Sequence, residues 1–510
     1  MKKYIIKSLI IALVALTSCD KDFLTVKPTD SQAAGGAATE GAIKANLAGT
    51  YQILLFDSYA DFQFNSIVLM SDLRSDDIFK GGGDAGDQGQ LYRLSLLDAS
   101  STELPEGLWN IYYSGLARAN NTIIACENAV GVGEDQLNEF KAEAHFLRAY
   151  FTHWLWKFWG NVPYFEGDLD EPYMATQYDA DEIYDFIMAD LDYAIEGNKL
   201  PVKRTPEDNG KASKAAAMML KARVALYQND EARYDEVLDH MAEIINSGQY
   251  QLMDDFASIW KREGEFSDES IFEVNHIALG KDWGAAWTGY GTNLPRFISP
   301  NELEGEDLLS GSDEFTGGWG FGPVRPETPD IYENDDERLP ASINQFEEGT
   351  YTERFQDTGY WLAKYAARDN YADAPYTPDL NFENNLRIFR YAETLLIAAE
   401  LQLEGASTTE AIPSAQDLMD EVRDRAGVDP INANLENLKE ERRREFLGEG
   451  LRFWDLVRWD DADILTEDIP EFSHTRTWES YKKYLPIPDS EILRTRGHGE
   501  YELEQNEGYN

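Results

Sequence analysis

The 510-residue chain has little cysteine, little histidine and few basic residues relative to its acidic ones. With only two cysteines, Cys19 and Cys126, a disulfide-rich fold is excluded and a hydrophobic core must stabilise the protein. Lys and Arg number 45 against 94 Asp and Glu, which gives a formal charge of −49. This charge argues against nucleic acid as a partner, because such proteins need a basic surface to neutralise phosphates.

The sequence also lacks the patterns that identify common catalytic and cofactor sites. None of its 6 histidines has a metal-binding spacing, and there is no G-x-S-x-G motif, Walker loop or dinucleotide-binding glycine motif. Asp84 and Asp87 lie among glycines, but their spacing does not match a calcium-binding EF-hand. We therefore predict no enzyme, no cofactor and no metal. A surface glycoside hydrolase stays open as an alternative, because acidic residues are too abundant for any one pair to stand out.

The N-terminal hydrophobic run, residues 9–16, is too short to span a bilayer and is typical of a secretory signal. It ends in the sequence Leu-Thr-Ser-Cys at Cys19, which has the form of a bacterial lipobox. We therefore predict a lipoprotein signal peptide at 1–18, a lipid-modified Cys19 and a polar tether at 19–39. The alternative is an ordinary signal peptide that an incidental cysteine follows.

Helical patterns follow one another from about residue 40, separated by short polar breaks. Residues 139–159 carry aromatic and apolar side chains at helical spacing, and residues 213–227 are rich in alanine. Small residues let helices approach closely, as in tetratricopeptide-like stacks of helical hairpins. The sequence therefore predicts a mainly α fold, although no clean repeat period is present. Cys126 lies in an apolar helical pattern, and we expect it in the core.

The pattern changes over residues 256–385, which are rich in glycine, proline, aspartate and aromatic residues and have no helical period. Short strands are predicted only at 270–275 and 360–365. An irregular segment of this length inside a compact domain is usually functional. We therefore divide a single domain, 40–510, into a helical scaffold at about 40–255 and 386–510 and a loop-rich ligand-binding insertion at about 256–385.

Two glycine-flanked aromatic clusters in this insertion are candidate ligand sites. One contains Trp283, Trp287 and Tyr290, and the other contains Trp319. Because glycine has no side chain to cover a ring, these rings either pack on distant residues or stay accessible. An accessible ring offers a flat surface to the C–H face of a sugar. The alternative is that the rings only fix the loops to the scaffold, which is what we expect of Trp361 in its strand-like apolar run.

Residues 441–459 combine three consecutive arginines with glutamates, phenylalanines and tryptophans across two predicted helices. Guanidinium groups pair well with carboxylates, so we predict a semi-buried ionic network that joins helical hairpins. The alternative is a solvated charge run.

This stretch resembles the C-terminal signature of the SusD/RagB family of Bacteroidetes surface lipoproteins, and residues 146–165 and 390–400 resemble the family as well. The resemblance covers essentially the whole mature chain. It implies a glycan-binding lipoprotein on the extracellular face of the outer membrane. It also implies a partner, a SusC-like TonB-dependent barrel that receives the captured oligosaccharide.

The resemblance further implies that a loop after the first helix contributes to the ligand pocket. On this basis Arg74, Asp76 and Asp77 are expected to bond sugar hydroxyls. A RagB-like peptide receptor is the main alternative function, and the identity of the glycan stays open.

Overall fold

The computed structural model describes residues 36–284, 287–303, 315–372 and 376–509. Over these ranges the chain forms fifteen α-helices and five pairs of short antiparallel strands, which confirms the predicted mainly α fold. The helices are α1 (Glu40–Tyr51), α2 (Ile67–Asp72), α3 (Gly89–Ser95), α4 (Gly107–Glu127), α5 (Glu134–Trp159), α6 (Ala180–Ile195), α7 (Lys214–Gln228), α8 (Tyr234–Asn246), α9 (Leu294–Ile298), α10 (Leu339–Ser342), α11 (Tyr391–Leu403), α12 (Ala415–Arg425), α13 (Leu435–Phe446), α14 (Arg452–Arg458) and α15 (Asp489–Thr495). The strands are β1 (Tyr59–Ala60), β2 (Gln63–Phe64), β3 (Val162–Pro163), β4 (Gln177–Tyr178), β5 (Ser270–Val274), β6 (Ile343–Gln345), β7 (Tyr360–Leu362), β8 (Leu386–Arg390), β9 (Glu467–Ile469) and β10 (His474–Arg476).

Helices that follow one another in the sequence pack on one another in the scaffold. Helix α5 packs on α4 and α6, α7 packs on α6 and α8, and α11 joins α8 to α12. The alanines of α7, including Ala217 and Ala222, are fully buried and permit this close approach. Helix α6 begins with a capping box of Asp179 and Glu182, which satisfies backbone N–H groups of its first turn.

The ionic network predicted for residues 441–459 is confirmed. Arg443 Nη2 lies 2.7 Å from Asp77 Oδ1, and Arg452 Nε lies 2.8 Å from Asp76 Oδ1. These pairs tie α13 and α14 to the segment that follows α2. The charged side chains are largely buried, so each depends on its partner for stabilisation.

The structure corrects the sequence prediction at residues 386–390, where we expected helices to resume. Leu386–Arg390 instead forms β8 and pairs with β5, the predicted strand at Ser270–Val274. All five residues of β8 are buried, so the segment has no solvent-facing side of the kind that an amphipathic helix needs. Helix α11 begins directly afterwards at Tyr391.

One hydrophobic core extends from Ala38 to Leu503 and joins both helical segments to the loop-rich region. Ala38 N donates to the Asn128 carbonyl, and Val130 N donates to the Ala38 carbonyl, so Ala38 is part of the folded body. Cys126 and Trp361 are each 1% exposed, as expected. No helix of the described residues has the length and apolar character needed to cross a membrane. Cys19 lies outside the described residues.

Candidate functional site

A short hairpin, β1–β2, supports the candidate site. Asp61 and Phe62 form its two-residue turn with φ of 50° and 59°, the left-handed conformation that tight hairpins require. Tyr59 and Phe64 pair across the strands, with ring centroids 5.4 Å apart. Asn110 Nδ2 on α4 donates to Asp61 Oδ2 at 3.0 Å. The hairpin is thus fixed to the scaffold and presents two rings side by side.

Trp283 lies against these two rings. Its indole centroid is 5.1 Å from that of Tyr59, and the Tyr59 hydroxyl donates to the Trp283 carbonyl at 3.2 Å. Lys281, two positions before Trp283, is buried, and its Nζ donates to the carbonyls of Leu55 and Tyr59 at 2.9 and 3.2 Å. Burial lowers the pKa of Lys281 to about 7. These bonds hold the loop that carries Trp283 against the hairpin.

Trp319 completes the arrangement from the second aromatic cluster. Its indole lies 6.0 Å from that of Trp283 at an interplanar angle of 29°. Phe64 and Phe297 pack edge-on against it, each at 5.4 Å. We call Trp283 and Trp319, with the supporting rings of Tyr59 and Phe64, the aromatic platform. Trp283 is 41% exposed despite its ring contacts, whereas Trp319 is partly buried.

The structure does not bring the other two predicted aromatic residues into this stack. Trp287 packs edge-on against Phe56 at 5.2 Å. Tyr290, which is 42% exposed, lines a separate groove of about 480 Å³ with Leu55 and Phe140. The predicted set of four is therefore divided between the platform and its neighbouring surface.

Arg74, Asp76 and Asp77 are likewise not part of the platform. Arg74 is 1% exposed, and its Nη2 donates to the backbone carbonyls of Lys482 and Lys483 at 2.6 and 3.0 Å. The two aspartates belong to the ionic network, and Asp77 is 1% exposed. Because protein partners occupy these groups in the interior, the structure corrects the expectation that they bond a sugar.

The loop after these residues does reach the platform. Gly82 N donates to Gly320 O at 2.6 Å, next to Trp319. A Cβ on Gly83 would lie 2.8 Å from Arg354 Nη2, so the loop packs closely on Arg354. Arg354 Nη1 in turn donates to the Trp319 carbonyl at 2.7 Å. The loop that the family resemblance implied is therefore beside Trp319. Its glycines and Arg354, and not the expected charged residues, link the loop to Trp319.

Sequence reasoning missed Tyr59, Phe62, Phe64 and Arg354. Three aromatic residues within six positions, 59–64, were the available signal for the first three. Phe62 is notable because its ring is 64% exposed while its φ of 59° is one that bulky residues rarely adopt. Arg354 carried no signal, since only tertiary contacts bring it to Trp319.

The platform combines flat apolar surface with polar groups at its edge. The exposed Asp282 precedes Trp283 and offers acceptor atoms, and the guanidinium of Arg354 offers donors. Among the described residues no group of His, Cys, Asp and Glu is arranged to hold a metal ion. The surface therefore suits a ligand with apolar faces and hydroxyl-bearing edges.

Comparison with protein-family models gives two matches. The model of the SusD family matches residues 193–509. A second model, described as starch-binding associating with outer membrane, matches residues 86–226.

Solved structures give close matches over almost the same length. Surface glycan-binding protein A from Bacteroides fluxus is 54% identical with a TM-score of 0.88, and the match covers 92% of this chain and 100% of that one. The protein of the same name from Bacteroides thetaiotaomicron, in complex with laminarihexaose, is 37% identical with a TM-score of 0.84 over 92% and 100% of the two chains. A laminarin binding SusD-like protein is 28% identical with a TM-score of 0.80 over the same shares. SusD-like protein P38 from Formosa agariphila is 25% identical over 94% of this chain and 95% of its own length.

Proposed function

This chain belongs to the SusD family, and we propose that it is a cell-surface lipoprotein that captures an oligosaccharide and delivers it to an outer-membrane transporter. The stacked pair Trp283–Trp319 is the observation that carries the proposal. A large indole that stays 41% exposed on a rigid aromatic support suits the C–H face of a pyranose. Phe62, at the hairpin turn, is 64% exposed, and we propose that it contacts the ligand as well.

The proposed ligand is a neutral glucan of the laminarin type. The Bacteroides thetaiotaomicron structure holds laminarihexaose, and another similar structure is described as laminarin binding. The formal charge of −49 disfavours polysaccharides rich in carboxylate or sulfate groups, because like charges repel at close approach. We propose that the protein holds this glucan without cleaving it.

We further propose a lipid anchor at Cys19, exposure on the extracellular face and a SusC-like TonB-dependent barrel as partner. The match to a family associating with outer membrane supports the location. A Cys19→Ser variant is expected to leave the membrane fraction, and the wild-type protein is expected to co-purify with the barrel. If the variant stayed fully membrane-bound, the anchor assignment would be wrong.

Isothermal titration tests the binding function directly. We expect saturable binding of laminarihexaose and weaker binding of maltohexaose and cellohexaose, and chromatography is expected to show no cleavage products. Failure to bind any glycan, together with tight binding of peptides, would overturn the proposal in favour of a peptide receptor. Turnover that disappears on mutation of one carboxylate would instead establish an enzyme.

A further inference from the structure

A cavity of about 800 Å³ lies at the ends of α5, α7 and α14, where the C-terminal segment crosses them. Its volume falls within the range of about 300–1,000 Å³ that is usual for small-ligand sites. Tyr227, Trp478, Tyr481 and Tyr484 contribute rings to its wall, and no residue of the aromatic platform lines it. We call it the tail cavity.

Two of these rings rest directly on glycine backbone. A Cβ on Gly160 would lie 2.7 Å from the ring of Tyr484, and a Cβ on Gly508 would lie 2.4 Å from the ring of Tyr481. Both glycines have positive φ, so a side chain at either position would also strain the backbone. The backbone therefore fixes the two rings, and each of them remains partly exposed.

Two charged side chains of the tail cavity, Lys483 and Asp460, have neither an ion pair nor a side-chain hydrogen bond among the described residues. Lys483 Nζ lies 4.8 Å over the ring of Tyr484 and forms no ion pair within the described part of the chain. Burial lowers the pKa of Lys483, while the nearby charge of Asp181 acts in the opposite direction. The exposed Asp460 has no hydrogen-bond donor to its carboxylate among the residues that the structure describes.

Arg458 lines the same cavity, but its guanidinium is hydrogen-bonded to carboxylates of the protein. Its Nη2 donates to Glu400 Oε2 at 2.9 Å, and its Nε donates to Asp455 Oδ1 at 2.8 Å. Lys483 and Asp460 differ from Arg458 in that no ion pair or side-chain hydrogen bond engages their charged groups among the described residues.

We propose that the tail cavity is a second carbohydrate-binding site, which takes a neutral oligosaccharide. Fixed aromatic rings match the apolar faces of sugars, and the free ammonium and carboxylate groups match their hydroxyls. Three lining carboxylates, those of Asp181, Asp460 and Glu507, exclude an anionic ligand. The proposal goes beyond the proposed function, which requires only the aromatic platform.

Two sites on one chain would hold a long polymer more firmly than a short oligosaccharide. Once one site is occupied, the second binds its stretch of the same polymer at a high effective concentration. The tail cavity would therefore slow the release of polysaccharide and change the affinity for a hexasaccharide little.

The test uses a background in which the platform is removed by Trp283→Ala and Trp319→Ala. Laminarihexaose and polymeric laminarin are the probes, measured by isothermal titration and by affinity gel electrophoresis. In this background we expect weak residual binding, which Lys483→Met or Asp460→Asn reduces by about tenfold. Asn tolerates the positive φ of 59° at position 460, so Asp460→Asn changes the charge without backbone strain.

Lys482→Met is the matched control. Lys482 is the neighbour of Lys483 but is not among the residues that line the cavity. Its Nζ donates to the Thr477 carbonyl at 2.8 Å. Its loss is expected to leave residual binding unchanged. Thermal melting of each variant checks that the fold is retained.

The outcomes separate the two sites. If the background loses all binding while the wild-type protein binds laminarihexaose, the tail cavity is not a carbohydrate site and the platform proposal stands. If the background binds laminarihexaose as the wild-type protein does, and Lys483→Met or Asp460→Asn abolishes that binding, the tail cavity is supported and the platform is overturned. Saturable binding of a lysine-rich peptide that Asp460→Asn abolishes, without any glucan binding, would overturn the carbohydrate assignment, and a wild-type protein that binds no glycan would overturn both sites.

Discussion

The ionic network around α13 and α14 and the aromatic platform use similar residues for opposite purposes. In the network, Trp454 is 2% exposed and its Nε1 donates to Ser71 Oγ at 2.9 Å. In the platform, Trp283 also contacts other rings but keeps 41% of its surface exposed. Residue type alone therefore does not distinguish the two regions; they differ in how much of a ring the fold leaves exposed.

The largest expected effect is on the network side of this comparison. Arg443→Ala leaves Asp77 buried without its cation and is expected to lower the free energy of unfolding by roughly 3–5 kcal/mol. Affinity for laminarihexaose should not change. Chemical denaturation and isothermal titration measure the two quantities.

The matched control is Arg494→Ala, because Arg494 forms an exposed pair with Glu491. It is expected to cost less than about 1 kcal/mol. Equal losses for the two arginines would contradict a special role for the buried network.

Trp283→Ala should do the reverse of Arg443→Ala. We expect binding of laminarihexaose to weaken by about 1–3 kcal/mol, or roughly 5- to 150-fold, with little change in thermal stability. The same substitution at the buried Trp454 should instead lower stability by about 3–5 kcal/mol. A large stability loss with unchanged affinity for Trp283→Ala would show that the ring only fixes its loop.

The stability that Asp455 contributes to the ionic network is expected to depend on pH. Arg442 and Arg458 lower the pKa of Asp455 to about 2 against the opposing effect of burial. Because this value lies below that of an unfolded aspartate, about 3.9, the stabilisation is complete above about pH 5 and is lost as the pH falls through 2. The stability difference between wild type and Asp455→Asn should therefore be constant near neutrality and shrink below about pH 5. A difference that does not change between pH 7 and pH 2.5 would contradict the assignment.

The smallest expected effect concerns Phe62 in the β1–β2 turn. Phe62→Asn replaces a bulky residue in a left-handed turn with one that favours this conformation. We expect a stability gain of about 0.5–1 kcal/mol together with a several-fold weaker binding of laminarihexaose. A stability gain without any loss of affinity would remove Phe62 from the proposed site.

Much of the scaffold was predictable because local patterns coincide with tertiary burial there. The helix predicted at 139–159 is present as the larger part of α5, and the arginines of residues 441–459 are paired as expected. The prediction failed at β8, where five buried residues gave no periodicity that distinguishes a strand from a helix. Pairing with β5 makes this segment a strand, and the residues close to it in the sequence do not reveal that pairing.

The candidate site was predictable only in part. Trp283 and Trp319 are separated by 36 positions in the sequence, yet their indoles stack, and both have glycine neighbours. Arg74 and Asp77 were expected to bond a sugar because the family resemblance implied that their loop contributes to the ligand pocket. The arginine and the backbone carbonyls that engage them lie more than 350 positions further along the chain.

The sequence by itself determined the helical scaffold, the acidic character of the protein and the aromatic residues that are available for a ligand site. These properties follow from composition and short-range spacing, which act over one or two helical turns. Only the tertiary structure decided which of those rings stay exposed, which charges are neutralised and where free polar groups meet in a cavity. Burial and ion pairing depend on residues that are distant in sequence, so contacts across the whole chain set them.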